Sequence, residues 1–149
     1  MKSKYLIICD TAEVAFVEVD ETVDTLQTLQ VLVNGRIDYV PCQRTFVGLD
    51  CWFNDEFSFY PEMLPNIVAS YETNTYLQGL VVIARSNEEG KTISLTSEDV
   101  KLLESNLDIT DRVVTLEEVA EMHAAIKAEY TARQAAERAT KQTTDTEEN

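Results

Sequence analysis

The run from Gln78 to Arg85, with Leu80-Val81-Val82-Ile83-Ala84 at its centre, is almost unbroken in apolar side chains. Successive side chains of a strand point to opposite faces, so a strand apolar at every position needs a sheet covered on both sides. Ser86-Asn87-Glu88-Glu89-Gly90 then forms a turn, and Lys91 to Leu95 returns as the second arm of a hairpin. Two more strands are predicted at Lys4 to Asp10 and Glu13 to Asp20, joined by Thr11-Ala12. Further strands are predicted from Arg36 to Gln43, from Phe46 through Phe53 with a bulge at Gly48, and as a short piece at Phe57 to Tyr60.

Helical periods interrupt these strands. Val23, Leu26, Leu29 and Val33 recur every three or four residues, with Thr22 placed to cap the start and Asn34-Gly35 to end the helix. Thr96-Ser97-Glu98-Asp99 pairs a hydroxyl with a carboxylate three residues on, which opens a second helix from Ser97 to Leu107. Between Pro61 and Tyr76 the signals conflict, and the region reads as loop with at most a turn of helix. The fold class is therefore α+β, a mostly antiparallel sheet packed by two short helices. Residues 1–109 form the globular domain.

Residues 110–141 form a helical extension. From Thr115-Leu116-Glu117-Glu118 to Lys141 there is neither Gly nor Pro, so one uninterrupted helix is favoured, and at about 1.5 Å per residue it reaches nearly 40 Å. Leu116, Val119, Ile126 and Tyr130 share its apolar face with His123, which reads as a packing histidine. That face can pack on the domain in its first half or join two copies as a homodimer. The polar tail, 142–149, is expected to be disordered.

The charge balance is the second constraint. Of 149 residues, 27 are Asp or Glu and 12 are Lys or Arg, a net charge of −15, and residues 1–109 alone carry −11. Such a surface repels nucleic acid and anionic lipid. The apolar stretch Tyr5 to Cys9 is shorter than the roughly 7 to 15 residues of a signal peptide, and no stretch approaches the roughly 20 of a membrane span. A cytoplasmic protein that binds neither membrane nor nucleic acid directly is expected.

Familiar chemistry is scarce. Cys9, Cys42 and Cys51 are odd in number and lack C-x-x-C spacing, which favours reduced packing thiols over disulfides or a thiolate metal site. One histidine cannot build an imidazole metal site, and the sequence contains no calcium loop, phosphate-binding loop, dinucleotide fingerprint or nucleophile elbow. No catalytic residue, metal or cofactor is assigned, and the protein is expected not to be an enzyme.

The segment Phe46 to Tyr60 holds six aromatic residues with Asp50, Asp55 and Glu56 interleaved. Either its rings turn inward and its acids outward, or Asp50, Trp52, Asp55 and Glu56 form an aromatic anchor with an acidic rim for a basic partner.

Leu32-Val33-Asn34-Gly35-Arg36-Ile37-Asp38-Tyr39-Val40-Pro41 resembles the L-V-x-G-x-I-x-x-V-P turn and strand of an uncharacterised family of small proteins encoded by phages, plasmids and related bacterial elements. Asn54-Asp55-Glu56, Leu64-Pro65-Asn66 and Ser94-Leu95-Thr96-Ser97-Glu98-Asp99-Val100 match three further motifs of that family over residues 14 to 105. The resemblance implies a bacterial cytoplasmic setting and transfers no catalytic residue. The leading expectation is a non-enzymatic acidic protein that occupies a basic, nucleic-acid-binding surface of a host protein. The alternatives are a small-ligand sensor with a pocket between sheet and helices, and an enzyme of unknown class.

Overall fold

A computed structural model describes the backbone of residues 1–148 and the side chains of residues 1–141. The tail 142–149, expected to be disordered, lies outside the residues described in full. The elements in chain order are β1 (Lys2–Ile8), β2 (Val14–Asp20), α1 (Thr25–Val33), β3 (Ile37–Pro41), β4 (Asp50–Asn54), a 3-10 turn (Phe57–Phe59), α2 (Ile67–Thr73), β5 (Val81–Ser86), β6 (Thr92–Ile93), α3 (Ser97–Asn106) and α4 (Leu116–Glu148). The fold is α+β, and every strand pair is antiparallel. The strands run in the order β2-β1-β5-β4-β3, with β6 paired to the end of β5.

The apolar run seen in the sequence lies at the centre of this sheet as β5, and its two faces face two cores. Val81 and Ile83 point with Leu6, Ile8, Cys51 and Phe53 toward Ala69 of α2 and Leu103 of α3. Val82 and Ala84 point with Tyr5 and Ile7 toward Leu29, Leu32 and Val33 of α1 and Val119 of α4. The protein is thus three layers deep. Each fully buried Leu or Val side chain contributes about 1.5–3 kcal/mol relative to exposure, and these residues supply most of the drive to fold.

Several expectations shift at this level. Helix α1 begins at Thr25, and its cap is Asp24, whose carboxylate accepts from the Gln27 amide at 3.2 Å. Thr22 is held in the preceding turn, where its amide and hydroxyl both donate to Asp20 at 2.9 Å. The strand expected from Phe46 is confined to Asp50–Asn54, and Gly48 has φ +101° in the loop before it rather than in a bulge. Phe57 to Tyr60 is not a strand: the Phe59 amide donates to the Glu56 carbonyl at 2.9 Å, which closes a 3-10 turn. Helix α2 adds a third short helix in the region read as loop. Its cap, Asn66, accepts from the Ala69 amide at 3.1 Å and donates to the carbonyls of Ile8 at 3.0 Å and Gly79 at 2.8 Å. The start of α3 stands as expected, with Thr96 and Asp99 each accepting from the other's amide.

Strand addition is disfavoured at both sheet edges by different means. The connector before α4 lies along β2, where the Thr110 and Val114 amides donate to the Val14 and Phe16 carbonyls at 3.0 and 2.9 Å. At the other edge the outward amide of Tyr39 donates to the Asp38 carboxylate at 2.8 Å, and Pro41 has no amide proton to offer.

Candidate functional site

The four residues expected to bind a partner fall into two groups. Asp50 and Trp52 share the face of β4 that looks toward α1, by strand alternation. There Asp50 accepts from the Ser86 hydroxyl at 2.9 Å, and Trp52 stacks on Tyr39 of β3 with ring centroids 4.8 Å apart. The indole Nε1 of Trp52 is buried and has no hydrogen-bond partner. Asp55 and Glu56 lie past the other end of β4, where Asp55 pairs with Arg36 at 3.7 Å and Glu56 precedes the 3-10 turn. The aromatic segment divides likewise. Phe46 and Phe53 are core residues, Trp52 and Phe57 are half-buried, and Phe59 is exposed.

Several large apolar side chains are exposed in the segment that follows Asp55 and Glu56. Phe59 and Ile67 are 77% and 79% exposed, and Leu64, Tyr71 and Tyr76 are exposed too. Ile67 and Tyr71 stand four residues apart on the outer face of α2, so they are neighbours. Tyr76 meets Phe57 edge-on at 6.2 Å, which joins this face to the 3-10 turn. Arg44 fixes Tyr71: its guanidinium lies 4.4 Å from the ring centre, and its Nε donates to the Tyr71 carbonyl at 2.6 Å. Large exposed apolar groups set side by side, as Ile67 and Tyr71 are, mark interaction surfaces, and tyrosine is among the residues favoured in binding hot spots. Sequence reasoning missed Ile67 and Tyr71 because their spacing carries meaning only once α2 is recognised. The Leu64-Pro65-Asn66 motif, with its capping asparagine, was the available signal.

The second candidate is a cavity of about 410 Å³ beneath the start of α4. Ile7, Ala15, Val114, Val119 and Met122 give it apolar walls, and Glu13, Thr110, Arg112 and Glu118 stand among its polar lining. Its volume falls within the roughly 300–1,000 Å³ usual for small-molecule sites. Of the residues on the apolar face of α4, Val119 is buried in the core, and Leu116 packs half-buried against the same core. Ile126 and Tyr130 line a groove against Pro61 and Leu64. The start of that face, Leu116 and Val119, thus packs on its own domain.

Burial favours the neutral form of all three thiols and of the single histidine. Burial pushes Cys9 up to about 11, with Glu13 and Asp10 adding to the rise, and pushes Cys42 up to about 12, with Glu72 and Asp50 adding. Cys51 is raised further still, again chiefly by burial. All three are free and buried. His123 lies 2.7 Å from the Leu32 carbonyl through Nε2, and its burial favours the neutral ring. The buried carboxylate of Glu72 accepts from the Phe46 amide at 2.5 Å. Among the described residues no group of three or more His, Cys, Asp or Glu is placed to hold a metal ion, and no helix is long and apolar enough to cross a membrane.

Fold and surface together define a small three-layer α+β domain with a large negative net charge, exposed apolar side chains on α2 and an appended helix. The chain belongs to the family described as Domain of unknown function (DUF3846), whose model matches residues 1–108. The match takes in β1 through α3 and stops short of α4. No curated protein and no solved structure matches the chain.

Proposed function

We propose that this is a non-enzymatic, acidic interaction protein of a phage or mobile element that occupies a basic, nucleic-acid-binding surface of a host protein. The observation that carries this reading is the exposed pair Ile67 and Tyr71 on the outer face of α2, with Phe59 and Tyr76 exposed at and next to the 3-10 turn that follows Asp55 and Glu56, on a domain whose first 109 residues carry a net charge of −11. Rings supply desolvated contact area, while the surplus carboxylates steer a cationic partner and stand in for phosphates. Both parts are needed, since charge alone gives encounter without a fixed register.

The test is capture of a basic protein from bacterial lysate at two salt concentrations, with the wild-type chain and with an Ile67→Ser/Tyr71→Ala double variant. Wild type is expected to capture it at low salt and release most of it at high salt, and the double variant is expected to capture little at either. Capture indifferent to salt would remove the mimicry, and undiminished capture by the variant would remove this face. A second reading, a small-ligand-binding sensor, is favoured by the cavity beneath α4.

A further inference from the structure

The cavity beneath α4 has a charge pattern that narrows what it can hold. At its mouth the Arg112 guanidinium donates to the Glu118 carboxylate, so these two charges neutralise each other. The exposed Glu13, just before β2, forms no ion pair among the described residues. The lining therefore keeps one uncompensated negative charge above an apolar floor. The neighbouring Cys9 thiol, also in the lining, feels that charge, since Glu13 and Asp10 reinforce the effect of burial upon it.

An anionic guest would have to take Arg112 from Glu118 and then lie against two free carboxylates. A neutral guest would gain from the floor alone. A guest with one cationic head and an apolar body gains from both, because its head meets Glu13 while its body covers Ile7, Ala15, Val119 and Met122.

Building on the ligand-binding reading above, we infer that this cavity is a binding site for a small cationic amphiphile, an aliphatic or aromatic amine whose ammonium pairs with Glu13. The floor is shared between the family domain and α4. Residues Ile7 and Ala15 come from within 1–108, while Val114, Val119 and Met122 come from outside it. The site is thus specific to a chain that carries this appended helix, and ligand binding would strengthen the docking of α4.

The experiment uses the full chain and three probes of equal chain length at neutral pH: n-octylamine, n-octanol and octanoate. Isothermal titration measures binding of each to wild type, to Glu13→Gln and to Glu89→Gln. Glu89 lies in the exposed turn between β5 and β6, so its variant controls for general attraction of a cation to an acidic protein. The amine is expected to bind tightest and octanoate weakest. Glu13→Gln is expected to weaken the amine up to about fivefold, the size of one partly screened ion pair, and to leave octanol unchanged. Glu89→Gln is expected to change neither.

Equal binding of all three probes, or equal losses in the two variants, would overturn the assignment of a cationic ligand and leave a ligand-binding cavity standing. Binding of none would overturn the cavity as a ligand site altogether. Ala15→Phe, which fills the floor, is expected to abolish binding of every probe. Where that variant does not fold, the comparison of Glu13→Gln with Glu89→Gln decides alone.

Discussion

A Cβ placed on Gly35 would lie 2.6 Å from Nδ2 of Asn54. That amide is committed elsewhere: it donates to the Asn34 carbonyl at 3.1 Å and to the Val33 carbonyl at 3.4 Å, while its oxygen accepts from the Glu56 amide at 2.8 Å. The end of α1 is thereby clamped to the end of β4, and two motifs that the sequence presents 19 residues apart become one contact. Gly35→Ala forces either the side chain of Asn54 or the turn itself to move. A loss of about 1–3 kcal/mol is expected, the usual scale of an overpacked site, together with the strain of a φ of +153°. Urea denaturation checks this, and an unchanged midpoint would show that the clamp yields freely.

Asp99 performs two tasks with one carboxylate. It receives both arms of the Arg85 guanidinium at 2.6 Å and accepts from the Thr96 amide at 2.9 Å, so it completes the capping box of α3 and ties that helix to β5. The hydrogen bond from Arg85 is the main reason its carboxyl sits below the ordinary range. A carboxyl held low in the folded chain stabilises fully above the unfolded value of about 3.9, and that contribution is lost as pH falls through the lower folded value. Asp99→Ala is expected to cost about 2–3 kcal/mol at neutral pH, the sum of a lost cap and a broken ion pair whose arginine is still reached by water. Thermal melting at pH 7 and below pH 4 tests the sign. The difference between variant and wild type should shrink in acid, and a constant difference would place the stabilisation elsewhere.

What could be read from the chain beforehand follows the range of the forces involved. Strand β5, the β1–β2 hairpin and the Thr96–Asp99 capping box rest on neighbours within a few residues, and their types were legible. Helix α2 was not, because Asn66 reads as part of a Pro-Asn break until its side chain meets Ile8, 58 residues away, and Gly79. The expected partner-binding set divided for a similar reason. Asp50 and Trp52 obey the alternation of β4, while Asp55 and Glu56 lie beyond its end at Asn54, and that end is tied to the end of α1 by the Asn54 side chain. The apolar face of Ile67 and Tyr71 depends on the same unseen helix. The long-range hydrogen bonds that place these residues therefore decided how much of the candidate site the sequence could disclose.

The appended helix has a pH dependence that can be stated in advance. His123 in α4 hydrogen-bonds through Nε2 to the Leu32 carbonyl near the end of α1, and burial holds its pKa below the ordinary value. The bond to Leu32 and the charge of Asp10 work in the opposite direction, but burial is the larger effect. An unfolded chain therefore takes up a proton at His123 more readily than the folded one. The neutral ring contributes its full stability above the unfolded value of about 6.5, and that contribution falls away as pH drops from there toward the folded value. Wild type is expected to lose melting temperature on going from pH 7.5 to 5, a window lying above the ordinary carboxylate range. His123→Gln, which keeps a side-chain donor without a titrating ring, is expected to be flatter across the same window. Parallel slopes in the two proteins would mean that the imidazole does not govern how α4 responds to acid.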